Sequence, residues 1–479
     1  MTLWKKQELL DALKDEVISH NILNEIEIDE VVIDSRKASK TKLFIALKGE
    51  KHDAHDFLNQ VFENGCEIAL IHKEEEFFKF RNSKNHIILV KNTFIALYKL
   101  AAFARQRSRA KIIAITGSVG KTGTKEMLKN AFESQGKTYA TIGNLNNHIG
   151  LPLTLCNFPK NHDFGIFEMG MNHLGEIEPL SELARPHLAI ITNVGPVHIE
   201  NFKSEQEIAI AKSEIFAGLN KNSGKVLINF DNKHYDFLRK KAQYFQIKEE
   251  NIYCFGEMGG NYQILESIIK DSNLSEIKAK TAKNIKVSYQ ISTSQKATIF
   301  NSVIVLASLD LVGNNIEKGL EKFKEIKSQS GRGKISEIKV DDKKIVLIDD
   351  TYNASVLSMK SGIDHALTLK NSLNKKRVIA ALGEMLELGE KSLELHEEVT
   401  NYLRKLGVDF SILVGKNMTK AAEKLEKNFY KTFDNSSDAA LEIKNFLEDG
   451  DILYIKGSRG TKMEVLVTTL NHEISKNSH

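Results

Sequence analysis

The stretch Ala114-Ile-Thr-Gly-Ser-Val-Gly-Lys-Thr-Gly-Thr-Lys-Glu-Met-Leu128 decides how the rest of this 479-residue chain is read. Lys111–Thr116 has the apolar run of a short buried strand, and Met127, Leu128, Ala131 and Phe132 recur at helical spacing up to Gly136. Gly117, Ser118, Val119 and Gly120 form the turn between them. A glycine turn from strand to helix aims backbone N–H groups and the positive helix end at one point, where a nucleotide's phosphates bind. Lys121 reaches the outer phosphates from there, and the Thr122 hydroxyl suits a Mg²⁺ ion bound to them. Ile115 stands where the longer G-x-x-x-x-G-K-[ST] pattern has its first glycine, so the flanking strand and helix carry the reading. The expected ligand is a nucleoside triphosphate.

Working outward, the chain is too long for one core and is expected to form about three domains. Hydrophobic content of 41% and charged content of 27% are ordinary for a globular protein. A net charge of +4 with no dominant basic tract gives no argument for nucleic acid. Cys66, Cys156 and Cys254 are odd in number and widely spaced, as buried thiols of a reducing compartment are. The first residues, MTLWKKQELLDALKDEV, read as the start of an amphipathic helix with charges throughout rather than a signal peptide. No apolar run approaches the ~18 residues of a membrane span. A soluble, cytoplasmic protein without membrane insertion is expected.

Val31–Ile33, Leu43–Leu47, Ile68–His72 and Ile87–Val90 read as strands, and Thr93–Arg107 as a helix. These place the first domain at residues 1–107. Ile166–Glu168, Leu188–Asn193 and Val226–Asn229 are apolar runs ending in polar residues, as strands of a buried parallel sheet do, and fall in a domain at 108–326. Lys278–Gln295 reads as additional strand or loop structure there. The polar, glycine-rich Lys327–Gly333 reads as a linker. Beyond it, Ile345–Ile348, Val378–Leu382, Ile412–Val414 and Ile452–Ile455 alternate with helical stretches in a third α/β unit, 327–479.

Ligands of such sheets sit beyond the carboxyl ends of the strands, which singles out the polar residues there. Glu168 is a strand-end carboxylate suited to Mg²⁺, or a simple solvated cap. His198, in Thr192-Asn-Val-Gly-Pro-Val-His198, follows another strand and reads either as a site residue or as an ordinary satisfied histidine. Lys212 lies beside the apolar face made by Ile208, Ala211, Ile215 and Phe216, and alone reads as a snorkelling lysine. Gly143–Gly150, with Asn144, Asn146 and Asn147, is either a polar ligand loop or an Asx-turn loop. His52-Asp-Ala-His-Asp56 has two histidines three apart but no third metal ligand in view. Ile348–Asn353 brings acids and Tyr352 to a strand end, and Lys456–Lys462 brings cations and glycines.

Six stretches together resemble the Mur ligase family. They are Ile33–Phe57, Gly143–Leu155, Phe167–Ile177, Thr192–Phe202, Leu382–Ser392 and Ile455–Glu464, in that order along the chain. The branch they resemble most joins D-alanyl-D-alanine to UDP-N-acetylmuramoyl-tripeptide. The resemblance implies an α/β chain of three domains: a smaller N-terminal domain for the uridine nucleotide, a central P-loop ATPase domain with a mostly parallel sheet, and a C-terminal Rossmann-like domain. It implies ATP and two Mg²⁺ ions, with Lys121 and Thr122 on the triphosphate and Glu168 on the first ion. His198 would ligate the second ion, together with Lys212 as a carbamate. Asn301 would read adenine, Arg332 would reach the γ-phosphate and Asp350 the ribose. Ser35 and Arg36 fall in the uridine-nucleotide motif, Asn144, Asn146 and Asn147 face the muramoyl-peptide, and Tyr352 and Asn353 face the dipeptide or acyl phosphate. A monomer that closes about Lys327–Gly333 is expected. The chain departs from the family pattern at Gly123, at Glu384 and at Ser355-Val356, where Asn-Pro is usual. The rival readings are another ligase of the superfamily and a nucleotide-gated switch that ligates nothing.

Overall fold

The computed structural model describes residues 2–476 apart from His198, Ser272 and 327–329, and from residue 472 onward describes backbone only. The expected site residue His198 and the first three residues of the expected linker therefore lie outside the described residues. Among those described, three large sheets follow one another along the chain.

The first sheet has the strand order Val17–His20, His86–Val90, Ile68–Ile71, Lys42–Ile45, Glu30–Val32, parallel except for its first member. The chain does not begin directly with a helix. Trp4–Lys5 first pairs with Glu27–Ile28, and only then does the helix Lys6–Leu13 start. Trp4 is wholly buried, its indole N–H donates to the Cys156 carbonyl at 2.9 Å, and the Arg107 guanidinium lies 4.1 Å from its ring centroid. Asn157 extends the same junction. Its side chain accepts from the Val31 N–H at 2.8 Å and donates to the Val31 carbonyl at 2.9 Å, acting as a missing strand neighbour. These contacts fix the first unit onto the second.

The second sheet runs Thr138–Ala140, Phe164–Glu168, Lys111–Thr116, Leu188–Ile191, Lys225–Asn229, Ile252–Gly256, Tyr262–Asp271, all parallel. The segment left unplaced by sequence is an antiparallel extension of it, formed by Leu274–Lys280 and Lys286–Ile291. The chain leaves Lys111–Thr116 toward one edge and later returns on its other side. The carboxyl end of that strand is therefore a topological switch point, the place where open α/β sheets bind ligands. The helix Lys296–Val312 is apolar around most of its circumference because it is buried in the second core rather than laid on its surface. It stops at Gly313, whose φ of +82° suits a left-handed cap.

The third sheet has the order Lys334–Val340, Lys343–Asp350, Ile452–Lys456, Val378–Gly383, Phe410–Val414, Tyr430–Phe433, with only the first strand antiparallel. Hydrogen bonds that join this unit to the second include Ser294 Oγ with His365 Nε2 at 3.1 Å, and Gln295 Nε2 to the carbonyls of Gly333 at 2.6 Å and Arg332 at 3.5 Å. Cys66, Cys156 and Cys254 are buried free thiols. Among the described residues no helix is long and apolar enough to cross a membrane.

Candidate active site

The turn after Lys111–Thr116 is held against the loop that leaves Leu188–Ile191. Ser118 N–H donates to the Asn193 carbonyl, the Ser118 hydroxyl bonds the Gly195 backbone at 2.9 Å, and Thr192 Oγ1 donates to the Val119 carbonyl at 2.6 Å. This close fit explains the glycines. A Cβ at residue 117 would lie 1.9 Å from Thr192 Oγ1, and Gly120 takes a φ of +85° at the helix N-cap. The helix Lys121–Glu133 then points its positive end at the turn. Asn301, from the buried helix, packs its amide against the same turn, 3.2 Å from where a Cβ on Gly120 would lie.

Lys121 is half-buried and donates to the Gly117 carbonyl at 2.6 Å. Burial pushes its ammonium below the ordinary lysine value; the Glu168 carboxylate opposes that shift and the Arg332 guanidinium adds to it. Glu168, at the end of Phe164–Glu168, is only 2% exposed. One of its oxygens accepts from Asn146 Nδ2 at 2.9 Å, while the other is buried with no hydrogen-bond partner. A buried, unsatisfied carboxylate oxygen is costly unless a cation or donor meets it.

Lys212 is 3% exposed, so it does not snorkel to the surface as the helix pattern alone suggested. Burial, reinforced by the Lys121 charge, holds its amine well below the ordinary value. Its position follows from the helix Glu205–Ser213, which lays Ile208, Ala209 and Ala211 into the core and takes Lys212 with them. Glu214, just beyond, accepts from the N–H groups of Gly175, Ile177 and Glu178 and so secures the loop after Glu168.

The loops of the third sheet complete the cluster. Arg332 lies 3.8 Å from the Tyr352 ring centroid, and its charge bears on Lys121 across the junction of the two units. Asp349, which sequence reasoning passed over, accepts from the Gly331 N–H at 2.8 Å and the Ser330 hydroxyl at 3.1 Å, anchoring the segment that carries Arg332. Asp350 accepts from Lys456 Nζ at 2.6 Å, and burial raises its carboxyl although that ammonium opposes the shift. Asn353 caps the next N–H, and Ser355 caps the helix Val356–Ser372. That cap accounts for one departure from the family pattern. Asn-Pro would place a side-chain acceptor at the N-cap and a proline at the first helical position, and Ser-Val supplies the same acceptor and tolerates the same backbone. Glu384 likewise accepts from the Asn417 N–H at 2.6 Å, at the start of the helix Lys416–Ala422.

Other sequence candidates sit apart or play local roles. Asn144 is exposed, Asn146 holds Glu168, and Asn147 accepts from the Ile149 and Gly150 N–H groups at the start of a helix. Ser35 and Arg36 lie in a turn of the first unit, where Arg36 pairs with Asp34 at 2.7 Å. In the His52–Asp56 tract, His55 uses one ring nitrogen on Asp53 and the other on the His72 N–H. Thr141 and Lys125 support Glu168, and the sequence gives no sign of this. The Thr141 hydroxyl accepts from the Glu168 N–H at 3.0 Å, and buried Lys125 donates to the Thr141 carbonyl at 2.6 Å.

A P-loop at a sheet switch point, faced by cationic loops from a second nucleotide-fold sheet, defines a nucleotide-dependent enzyme whose site is shared between two α/β units. Three family descriptions match successive parts of the chain: Mur ligase family, catalytic domain, over 27–109; Mur ligase middle domain over 115–309; and Mur ligase, glutamate ligase domain, over 336–459. The UDP-N-acetylmuramoyl-tripeptide–D-alanyl-D-alanine ligase of Rickettsia prowazekii is 35% identical, covering 97% of this chain and 99% of that one. The Bacillus subtilis ligase of the same name is 34% identical over 92% and 93%. Among solved structures, MurF from Acinetobacter baumannii superposes with a TM-score of 0.84 at 28% identity, covering 98% and 99%. MurF ligase from Thermotoga maritima in complex with ADP gives 0.78 at 26%, covering 94% and 98%. The chain belongs to the Mur ligase family, and it is an ATP-dependent, ADP-forming ligase.

Proposed function

We propose that this ligase joins D-alanyl-D-alanine to UDP-N-acetylmuramoyl-tripeptide, yielding the pentapeptide precursor of peptidoglycan with ADP and phosphate. The observation that carries the reading is the charge cluster of Lys121, Glu168, Lys212 and Arg332 about one P-loop, in a chain similar end to end to ligases of that name. A terminal carboxylate oxygen of the tripeptide attacks the γ-phosphorus of ATP, and the bond to ADP breaks. The neutral amine of the dipeptide then attacks the acyl carbon, its nitrogen gives up a proton, the carbon–oxygen bond to phosphate breaks, and a peptide bond remains. Two anions must approach each other in the first step, and Lys121 and Arg332 supply positive charge where they meet.

The unsatisfied Glu168 oxygen and the Thr122 hydroxyl are hard oxygen donors that fit Mg²⁺. They would hold one ion, and His198 with Lys212 as a carbamate would hold a second. Bound Mg²⁺ would neutralise phosphate charge during transfer. Burial disfavours the charged form of the Lys212 amine, and the uncharged form is the one that adds to carbon dioxide to give a carbamate and a proton. Asn301 would face adenine, Asp350 the ribose, Ser35 and Arg36 the uridine nucleotide, Asn144, Asn146 and Asn147 the muramoyl-peptide, and Tyr352 and Asn353 the dipeptide. In this reading residues 1–107, 108–326 and 327–479 are the three working domains of a cytoplasmic monomer.

Arg332 and Lys121 belong to different units, so closure of the third unit onto the second completes the site and keeps water from the acyl phosphate. Small-angle scattering is expected to give a more compact shape with ATP analogue plus tripeptide than without; one unchanged shape would count against closure. The function itself is tested by phosphate release with Mg²⁺-ATP, tripeptide and dipeptide, omitting each in turn. Release that needs all three, with a pentapeptide product by mass, supports it. Release with ATP alone would point to a switch, and silence with lysine- and diaminopimelate-containing tripeptides alike would point to another acceptor.

A further inference from the structure

We infer that Arg459 reads the C-terminal carboxylate of the incoming dipeptide, an inference that rests on the ligase reading above. Arg459 sits at the tip of the loop after Ile452–Lys456, where a 3₁₀ turn runs Arg459–Thr461. The base of that loop is fixed from several directions. Ser458 N–H donates to the Glu384 carbonyl at 3.0 Å, Ser458 Oγ accepts from the Leu386 N–H at 3.0 Å, and Thr461 Oγ1 donates to the Ser458 carbonyl at 2.6 Å. A Cβ at Gly457 would come within 2.5 Å of Met463 and Thr461, so the loop also packs too closely to shift.

This rigid base presents an exposed arginine whose guanidinium lies 5.3 Å from the Tyr352 ring centroid, the ring that also carries Arg332. Among the described residues no acid pairs with Arg332 or Arg459, whereas Arg377 of the same unit is paired with Asp451 at 2.8 Å. Two cations gathered on one aromatic ring without a counter-ion repel each other, and an anionic ligand relieves that repulsion. The two guanidiniums differ in place. Arg332 lies 3.8 Å from the Tyr352 centroid and its charge bears on Lys121 at the phosphate end, while Arg459 lies further from that ring, on the loop after Ile452–Lys456. The dipeptide brings its own anion away from the reacting end: its carboxylate lies about 7 Å from the amine that attacks the acyl carbon. A guanidinium pairs with a carboxylate through two parallel hydrogen bonds, which makes Arg459 a determinant of specificity for a free C-terminus.

The test compares D-alanyl-D-alanine with its C-terminal amide on the full-length enzyme and on Arg459→Gln and Arg459→Lys. The wild-type enzyme is expected to prefer the free acid by about ten- to a hundredfold in kcat/KM. Arg459→Gln is expected to use acid and amide equally with its KM for ATP unchanged, and Arg459→Lys to retain part of the preference. A preference that survives intact in Arg459→Gln overturns the assignment. So does a raised KM for ATP with the preference kept, which would place Arg459 on the nucleotide. A wild-type enzyme that ligates neither dipeptide overturns the ligase reading itself, and the assignment with it.

Discussion

Lys212→Ala is expected to lower turnover by about a thousandfold, and added acetate or propionate is expected to restore part of it. The lysine is buried on a helix that packs Ile208, Ala209 and Ala211 into the core, burial and the Lys121 charge both disfavour its charged form, and no acid of the described residues pairs with it. A buried amine whose charged form is disfavoured contributes little positive charge beside a phosphate site. As a carbamate it becomes a carboxylate at the end of a long arm. Truncation to alanine leaves a space of that shape, which a small carboxylic acid fills with the same charge. Rescue would also establish that the variant is folded. Full activity without added acid would remove Lys212 from the site, and loss that no acid repairs would leave it a packing role only.

Lys121→Met is expected to cost at least as much, about three orders of magnitude in kcat/KM. Methionine preserves most of the aliphatic length, so the turn should survive while the charge is lost. That charge lies where the P-loop, Glu168 and Arg332 converge. The transferring phosphoryl group builds up negative charge on its outer oxygens, so the loss should be larger in turnover than in the KM for the tripeptide. Single-turnover measurements with saturating ATP check this. An effect confined to KM would mean that Lys121 binds the substrate but does not stabilise the transition state.

Much of the fold was legible because the decisive segments are long, periodic and buried. The strand Lys111–Thr116 and the helix Thr93–Arg107 have the limits their patterns predict, since each ends at a clear change from apolar to polar residues. Edge strands were harder. Val17–His20, Thr138–Ala140 and Tyr430–Phe433 are short and mixed in polarity, because one side of each meets solvent or a loop. The antiparallel extension Leu274–Ile291 escaped placement because its charged residues face water along half its surface. Trp4 shows a tertiary override: its neighbours favour a helix, but burial of the indole against the second unit draws residues 4 and 5 into a strand pair.

The site divides along the same physical line. Lys121, Thr122 and Glu168 are visible in sequence because local geometry alone, a turn or a strand end, aims them. Lys212 is not, since its pattern is that of any amphipathic helix and only the resemblance gave it a role. Thr141, Lys125 and Asp349 carry no local signal at all. Thr141 bonds Glu168, Lys125 bonds Thr141 and Asp349 bonds the Arg332 segment, contacts that exist only after distant strands are paired.

The most direct test of the account follows the oxygen that the mechanism moves. Tripeptide labelled with ¹⁸O in its terminal carboxylate is incubated with enzyme, Mg²⁺-ATP and D-alanyl-D-alanine, and the released phosphate is analysed by mass. One labelled oxygen is expected in each phosphate formed, because the carboxylate oxygen that attacked phosphorus departs with it. Unlabelled phosphate would mean that water cleaves ATP and that the peptide bond does not arise through an acyl phosphate.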